Sequence, residues 1–421
     1  MRRVAWRLLV AFAFTIPWEY SLNLGEPFGH VARIAGILVL LAAILAVLQQ
    51  GHVRTPGPIQ WLVLAFYLWM CTSYLWSIAP DATFEKMRGF FQELMIVWLV
   101  WEFAESPEDV RSLMRAYVAG AWVLALLTLG SLVAGGSEAD QIRFVAEGQD
   151  ANDMARYLDM GLPMAALLVT CERRSVARIL AAGYLPLGLI AVVVTASREG
   201  FVAALIALFG CGLLLLRRYR RAGAGAIALL PALALGVWFV VPHGTFERLA
   251  TIPEELNRGD LNQRWNIWDA GWQAFVHAPV VGTGAGSFVS AAGLNPVDTA
   301  HNTALSLLAD GGLIALFVAA AILVLTVRTV FQMRGPIQLA LATALLGWMA
   351  TSLVATVEEN RSTWLLIGVI AAAGRMAVED SRALERCFGI SVEPTRTDET
   401  EREDGRAAGE GALEAGGAGC P

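Results

Sequence analysis

About a dozen long apolar blocks recur along this chain, and they decide what it can fold into. They lie at residues 4–18, 31–49, 59–79, 90–103, 113–134, 154–171, 178–196, 200–216, 223–241, 302–327, 337–357 and 363–378. A helix needs about 20 apolar residues to cross the roughly 30 Å hydrocarbon core of a bilayer. Blocks of this length, spread over the whole chain, predict an all-α polytopic integral membrane protein with about 12 transmembrane helices. The first block follows Met1-Arg2-Arg3 and so mimics a secretory signal. It is followed by Pro17-Trp18-Glu19 rather than by a small-residue cleavage site, so it reads as an uncleaved first helix.

Composition agrees. Of 421 residues, 56% are hydrophobic and 16% charged, whereas a soluble domain averages about 45–50% and about 25%. That excludes a soluble enzyme, a disulfide scaffold and a nucleic-acid-binding protein. The net charge of -6 comes from the C-terminal segment 379–421, which holds 11 acidic and 5 basic residues. The rest of the chain is balanced. Cys71, Cys171, Cys211, Cys387 and Cys420 form no CxxC or Cys/His cluster and read as free thiols.

Basic loops stay on the cytoplasmic side of a membrane. Arg2/Arg3/Arg7, Arg173/Arg174/Arg178, Arg217/Arg218/Arg220/Arg221 and Arg328/Arg334 all fall on one side if the N-terminus is cytoplasmic. Twelve crossings then return the C-terminus to the cytoplasm. Residues 1–378 form the membrane domain, with one large outer loop at 242–300 between the ninth and tenth spans. A loop of that size is uncommon unless functional. It contains a predicted helix, Leu261 to His277, in which Trp265, Trp268 and Trp272 share a face. That face either lies along the headgroups or packs on neighbouring spans. The tail 379–421 is rich in Glu, Arg, Gly and Ala and is predicted to be disordered.

Charge at membrane depth is costly and usually functional. Arg198, in Thr195-Ala-Ser-Arg-Glu-Gly200, sits at the outer end of the seventh span. It reads either as an anion-binding guanidinium or as a side chain snorkelling to headgroups or paired with Glu199. Arg264 opens the Trp-rich helix in the same compartment, as an anion ligand beside a helix start or as a solvated charge. His301 and Asn302 lie where the large loop meets the tenth span, three residues after Asp298. An imidazole titrates near neutrality and can take a proton from a hydroxyl; the alternative is a structural histidine at a helix cap.

Two other patterns carry less. Gly282-Thr-Gly-Ala-Gly286 lacks the strand, helix and acidic partner of a nucleotide fingerprint and reads as a tight backbone path. Glu138-Ala-Asp140 has metal-like spacing, but no metal is expected. Taken together, two arginines and a histidine suggest glycosyl transfer. The guanidiniums would hold a lipid-borne diphosphate leaving group and the imidazole would deprotonate the acceptor.

At these residues the sequence resembles the O-antigen ligase/polymerase superfamily of bacterial membrane glycosyltransferases. The matching segments are Tyr74-Leu-Trp-Ser77, Gln149-Asp-Ala-Asn-Asp153, Ser197-Arg-Glu-Gly200, Arg264-Trp-Asn-Ile-Trp268, Pro279-Val-Val-Gly-Thr-Gly-Ala-Gly-Ser-Phe288, Ala300-His-Asn302 and Gly311-Gly-Leu313. The resemblance implies a GT-C-like helical fold in the bacterial inner membrane, an undecaprenyl-diphosphate-linked glycan donor, and inversion at the anomeric carbon without metal or cofactor. It implies Arg198 and Arg264 as essential arginines binding the donor and His301 as the essential histidine, with Asn302 beside it in the substrate site. About twelve spans resembles the ligase branch, which transfers O-antigen to lipid A–core. The polymerase branch and the protein-glycosylating members stay open, as does a lipid or solute transporter. A transporter would instead place charges or helix breaks at mid-membrane in two matching halves.

Overall fold

The computed structural model describes residues 1–25, 29–135, 143–219, 238–239, 241–258, 264–295 and 298–389. Among them the chain is helical, and the single β pairing is a bridge between Asn23 and His30. The long helices are α1 (Arg2–Thr15), α2 (Val31–Gln50), α3 (Pro58–Thr72), α4 (Pro80–Phe103), α5 (Pro107–Val133), α6 (Ala151–Cys171), α7 (Ser175–Val194) and α8 (Arg198–Arg218). Short helices α9 (His243–Ala250) and α10 (Ile252–Arg258) follow, then α11 (Arg264–His277) and α12 (Phe288–Ala292). The chain closes with α13 (Thr303–Gln332), α14 (Pro336–Ser352), α15 (Arg361–Glu379) and α16 (Ser381–Cys387).

Seven of these are long and apolar enough to cross a membrane: α2, α3 with its following turn, α5, α7, α8, α13 and α15. The chain is a polytopic all-α membrane protein. Its helices start where local chemistry dictates. Ser106 caps α5 by accepting from Asp109 N while Asp109 reaches back, with Pro107 in the first turn, where no N–H is needed. α15 is the central helix, with 78% of its apolar window buried, whereas α2 buries 28% and turns Leu41, Leu45 and Leu48 outward. Outward leucine and phenylalanine are what lipid contact requires.

Four expectations need adjustment. The first span ends at Thr15 because Pro17 leads into a 3₁₀ turn. The fourth begins ten residues earlier than its apolar block, because Glu85, Lys86 and Arg88 are satisfied by ion pairs and do not interrupt the helix. The tail is ordered as far as 389: Leu384 and Phe388 are buried, and α16 packs near α5. The predicted ninth span (223–241) lies almost wholly outside the described residues, as do Glu138, Asp140 and the tail from 390.

The fourth adjustment concerns α13, which is not one continuous span. Gly312 adopts φ 68° and ψ -166°, a region essentially reserved for glycine. A helix broken in lipid must find partners for the freed backbone groups, and the glycine loop at 279–286 supplies most of them. Thr283 N donates to Ala309 O at 2.8 Å and Gly284 N to Asp310 O at 2.9 Å, while Leu313 N reaches Pro279 O at 2.9 Å. Trp69 Nε1 covers Gly311 O at 2.8 Å. The approach leaves no room for side chains: a Cβ on Gly312 would lie 2.3 Å from Val280 O, and one on Gly282 2.4 Å from Asp310 O. Ser73 and Ser77 clamp the far side, Ser73 Oγ accepting from Ala285 N at 2.9 Å. The glycine motif is therefore a plug seated in a kinked helix.

Candidate active site

Three helix starts meet at one end of the bundle. Asp150 caps α6, accepting from Asn152 N at 2.8 Å. Ser197 caps α8, accepting from Gly200 N at 3.2 Å. Asn302 caps α13, accepting from Leu305 N at 2.9 Å. These residue types favour caps because their side-chain oxygens replace a missing backbone acceptor. Each start presents unpaired N–H groups and the positive end of its dipole. The caps are also tied together. Asn152 Oδ1 accepts from Ser197 Oγ at 2.8 Å and from Arg143 Nη2 at 2.9 Å. Asn302 Nδ2 donates to Leu353 O at 2.9 Å.

Beside the starts of α6 and α8 lies a cavity of about 310 Å³ lined by four arginines: Arg143, Arg198, Arg248 and Arg264. Glu199, Glu255 and Asn152 complete its polar wall, and Val202, Ala350, Leu353 and Val354 form an apolar one. Arg198 Nη2 donates to Thr251 Oγ1 at 2.7 Å and lies 3.2 Å from Glu255 Oε1. Arg264, the first residue of α11, lies 3.6 Å from Glu199 Oε2. Glu199 also takes Arg156 Nη1 at 2.7 Å. Arg248 Nε donates to Ala196 O at 3.2 Å.

Arg198 and Arg264 thus share one cavity. His301 does not line it, but stands close enough for Arg264 and Arg156 to act on it electrostatically. Burial first, then those two guanidiniums, lowers its pKa from the ordinary 6.5. Asp298 does not orient the ring through a hydrogen bond; its carboxylate accepts from Asn295 N at 3.0 Å. Burial likewise lowers the Arg264 pKa, which Glu199 opposes.

Backbone strain marks the same place. Among the described residues, the non-glycine positions with positive φ are Ala196 (51°) and His301 (46°). One lies two residues before Arg198 and the other is the candidate base. Such strain persists only where the surroundings enforce it and gathers at functional sites.

Residues 183–320 match the O-antigen ligase (Wzy_C) family. The similarity covers 138 of the 421 residues, about a third of the chain. The matched segment opens within α7 and closes within α13, and it contains Arg198, Arg264, His301, Asn302 and the glycine plug. No curated protein matches the chain.

Parts of the site lie outside the matched segment or escaped the sequence reading. Arg143, Asn152 and Arg156 precede the segment, and Arg248 lies inside it. Their signal was available: arginines accumulate in loops that the basic-loop rule assigns to the outer side, against that rule. A second polar cluster was also missed. Lys86 pairs with Glu359, Arg361 pairs with Glu19, and Arg361 Nη2 donates to Gln92 Oε1 at 3.0 Å. Asp310 Oδ2 accepts from Gly286 N at 2.6 Å, tying the plug to this cluster. Burial pushes the Glu358 carboxyl up to about 7, against the opposing charge of Lys86. Among the described residues, no three His, Cys, Asp or Glu are grouped to hold a metal ion. Asp150, Asn152 and Asp153 serve a helix cap and two ion-pair or hydrogen-bond contacts instead.

Proposed function

We propose that this protein is an O-antigen ligase that moves a glycan from undecaprenyl diphosphate to a sugar hydroxyl of lipid A–core. The observation that carries the reading is the cavity itself: four guanidiniums and the starts of α6 and α8 beside an apolar wall. That combination suits a diphosphate attached to a long lipid. Planar guanidiniums grip phosphate oxygens in pairs, and helix starts add N–H donors.

In this reading Arg198 and Arg264 bind the donor diphosphate, which takes the place of Glu255 at Arg198. The acceptor hydroxyl oxygen attacks the anomeric carbon from the face opposite the diphosphate. The carbon–oxygen bond to the diphosphate breaks, and the leaving group departs with the electron pair. The guanidiniums offset its growing charge, so the step needs no metal. His301 takes the hydroxyl proton. Asn302 holds the backbone at His301 by capping α13 and gripping Leu353 O. The polyprenyl chain lies along Val202, Ala350 and Val354. The site faces the periplasm across a bacterial inner membrane, with both termini in the cytoplasm.

The acceptor separates the ligase from its relatives. Purified protein given an undecaprenyl-diphosphate glycan is expected to glycosylate lipid A–core. Chain extension on a second lipid-linked repeat unit would make it a polymerase. Transfer to a protein would make it an oligosaccharyltransferase. Movement of the donor across a vesicle without bond cleavage would make it a transporter.

A further inference from the structure

The end of the bundle opposite Arg198 holds a second cavity, of about 460 Å³, among the ends of α3, α4, α13 and α15. It shares no residue with the arginine cavity. Its charged residues are Arg328, Arg375 and Glu379, Gln60, Thr329 and Gln332 add neutral polar groups, and Ile59, Leu325, Ala371 and Val378 belong to its apolar wall.

The two arginines differ. Arg375 is built in: its side chain is 10% exposed, Nη2 donates to Ala104 O at 2.6 Å, and Nη1 lies 2.7 Å from Glu379. Its guanidinium also stacks 5.4 Å from the Trp101 ring, and its buried Nε has no partner. Much of this is what a helix C-terminus asks of a cation. Arg328 is not accounted for in that way. It lies a full turn before the end of α13, is exposed, and makes no hydrogen bond or ion pair among the described residues. Gln332, four residues on, adds an amide on the same face of the helix. With Glu379 counted, the pocket keeps one positive charge in excess.

We infer that this cavity binds the phosphate of an anionic phospholipid, with Arg328 and Gln332 on the phosphate oxygens and an acyl chain along Leu325 and Ala371. The apolar wall favours a lipid over a free phosphate ion, since an ion would leave that surface uncovered. Basic pockets between membrane helices hold anionic headgroups by the same means. The inference rests on the cavity alone and does not depend on the glycosyl-transfer reading.

Full-length protein in nanodiscs of equal phosphatidylglycerol and phosphatidylcholine tests it, with retained lipid counted by native mass spectrometry. One phosphatidylglycerol per protein is expected to stay bound. Arg328→Gln is expected to weaken retention about fivefold, as one basic residue near a headgroup implies, and Arg328→Lys to keep most of it. Inorganic phosphate is expected neither to displace the lipid nor to raise the melting temperature. Equal retention of both lipids, or unchanged retention in Arg328→Gln, would overturn the assignment. Protection by inorganic phosphate alone would replace the lipid with a free ion as ligand.

Discussion

Arg264 Nη2 lies 3.6 Å from Oε2 of Glu199, so the residue that follows Arg198 is the counter-ion of the second site arginine. The same carboxylate binds Arg156, and its side chain is only 4% exposed. One buried acid therefore fixes two guanidiniums from different helices and couples the position of α11 to the start of α8.

Removing that acid should be costly. Breaking a buried ion pair from one side leaves the other charge uncompensated, typically at about 3–5 kcal/mol. Asp153 also holds Arg156, so Glu199→Gln is expected to fall at the lower end. Chemical denaturation in detergent micelles measures it, and an unchanged midpoint would contradict the pairing.

Arg198 is expected to tolerate no conservative replacement. Lysine keeps the charge but loses the planar fork whose Nε and Nη2 now reach Arg248 O and Thr251 and would hold two phosphate oxygens in the proposed complex. Arg198→Lys should raise the KM for lipid-linked donor by about tenfold or more, the effect of losing roughly one charged hydrogen bond. Steady-state rates at fixed acceptor provide the check.

His301 should set the acid limb of the pH–rate profile. Its pKa lies below the ordinary 6.5, so the imidazole is neutral, and able to accept a proton, at pH 7. The rate is expected to hold on acidification until below that value and then to fall as the ring protonates. Because its φ is 46°, Asn is a better probe than Ala, since Asn enters the left-handed region at little cost. His301→Asn should keep the wild-type melting temperature and lose about 10²–10⁴ in rate. Loss of fold with loss of rate would leave only a structural role for the residue.

The plug makes a stability prediction. Gly312→Ala forces a Cβ to 2.3 Å from Val280 O at a backbone conformation reserved for glycine. Strain and overpacking together are expected to cost on the order of 3 kcal/mol. Gly212→Ala, whose Cβ would meet nothing within 4 Å in α8, should be neutral or stabilising by about 0.5–1 kcal/mol. Melting curves of the two variants side by side separate these cases.

Hydrophobic runs made most of the helices legible in the sequence, because lipid leaves little choice about where a 20-residue apolar block can sit. Arg198 stood out for the complementary reason, as a charge flanked by such blocks, whereas Arg264, in the outer loop, was singled out by its place at a helix start and by the resemblance. What sequence could not carry was pairing across the fold. Nothing local says that Glu199 serves Arg264, that Asn152 joins Ser197, or that Arg143 and Arg248 turn toward the same cavity. The start of α4 was hidden because Lys86 and Glu85 look like an interruption until Glu359 is seen beside Lys86. The kink at Gly312 was hidden because its partners lie some thirty residues upstream, in a loop that reads only as glycine-rich.

The most direct measurement is the release of undecaprenyl diphosphate per glycan transferred, followed for wild-type protein, Arg198→Gln and Arg264→Gln in proteoliposomes. Wild-type protein should release one lipid diphosphate for each glycan joined to lipid A–core, and either variant should insert normally but lose release at least about a hundredfold, as removal of transition-state charge stabilisation does elsewhere. Release at the wild-type rate from either variant would contradict a diphosphate gripped by these two arginines.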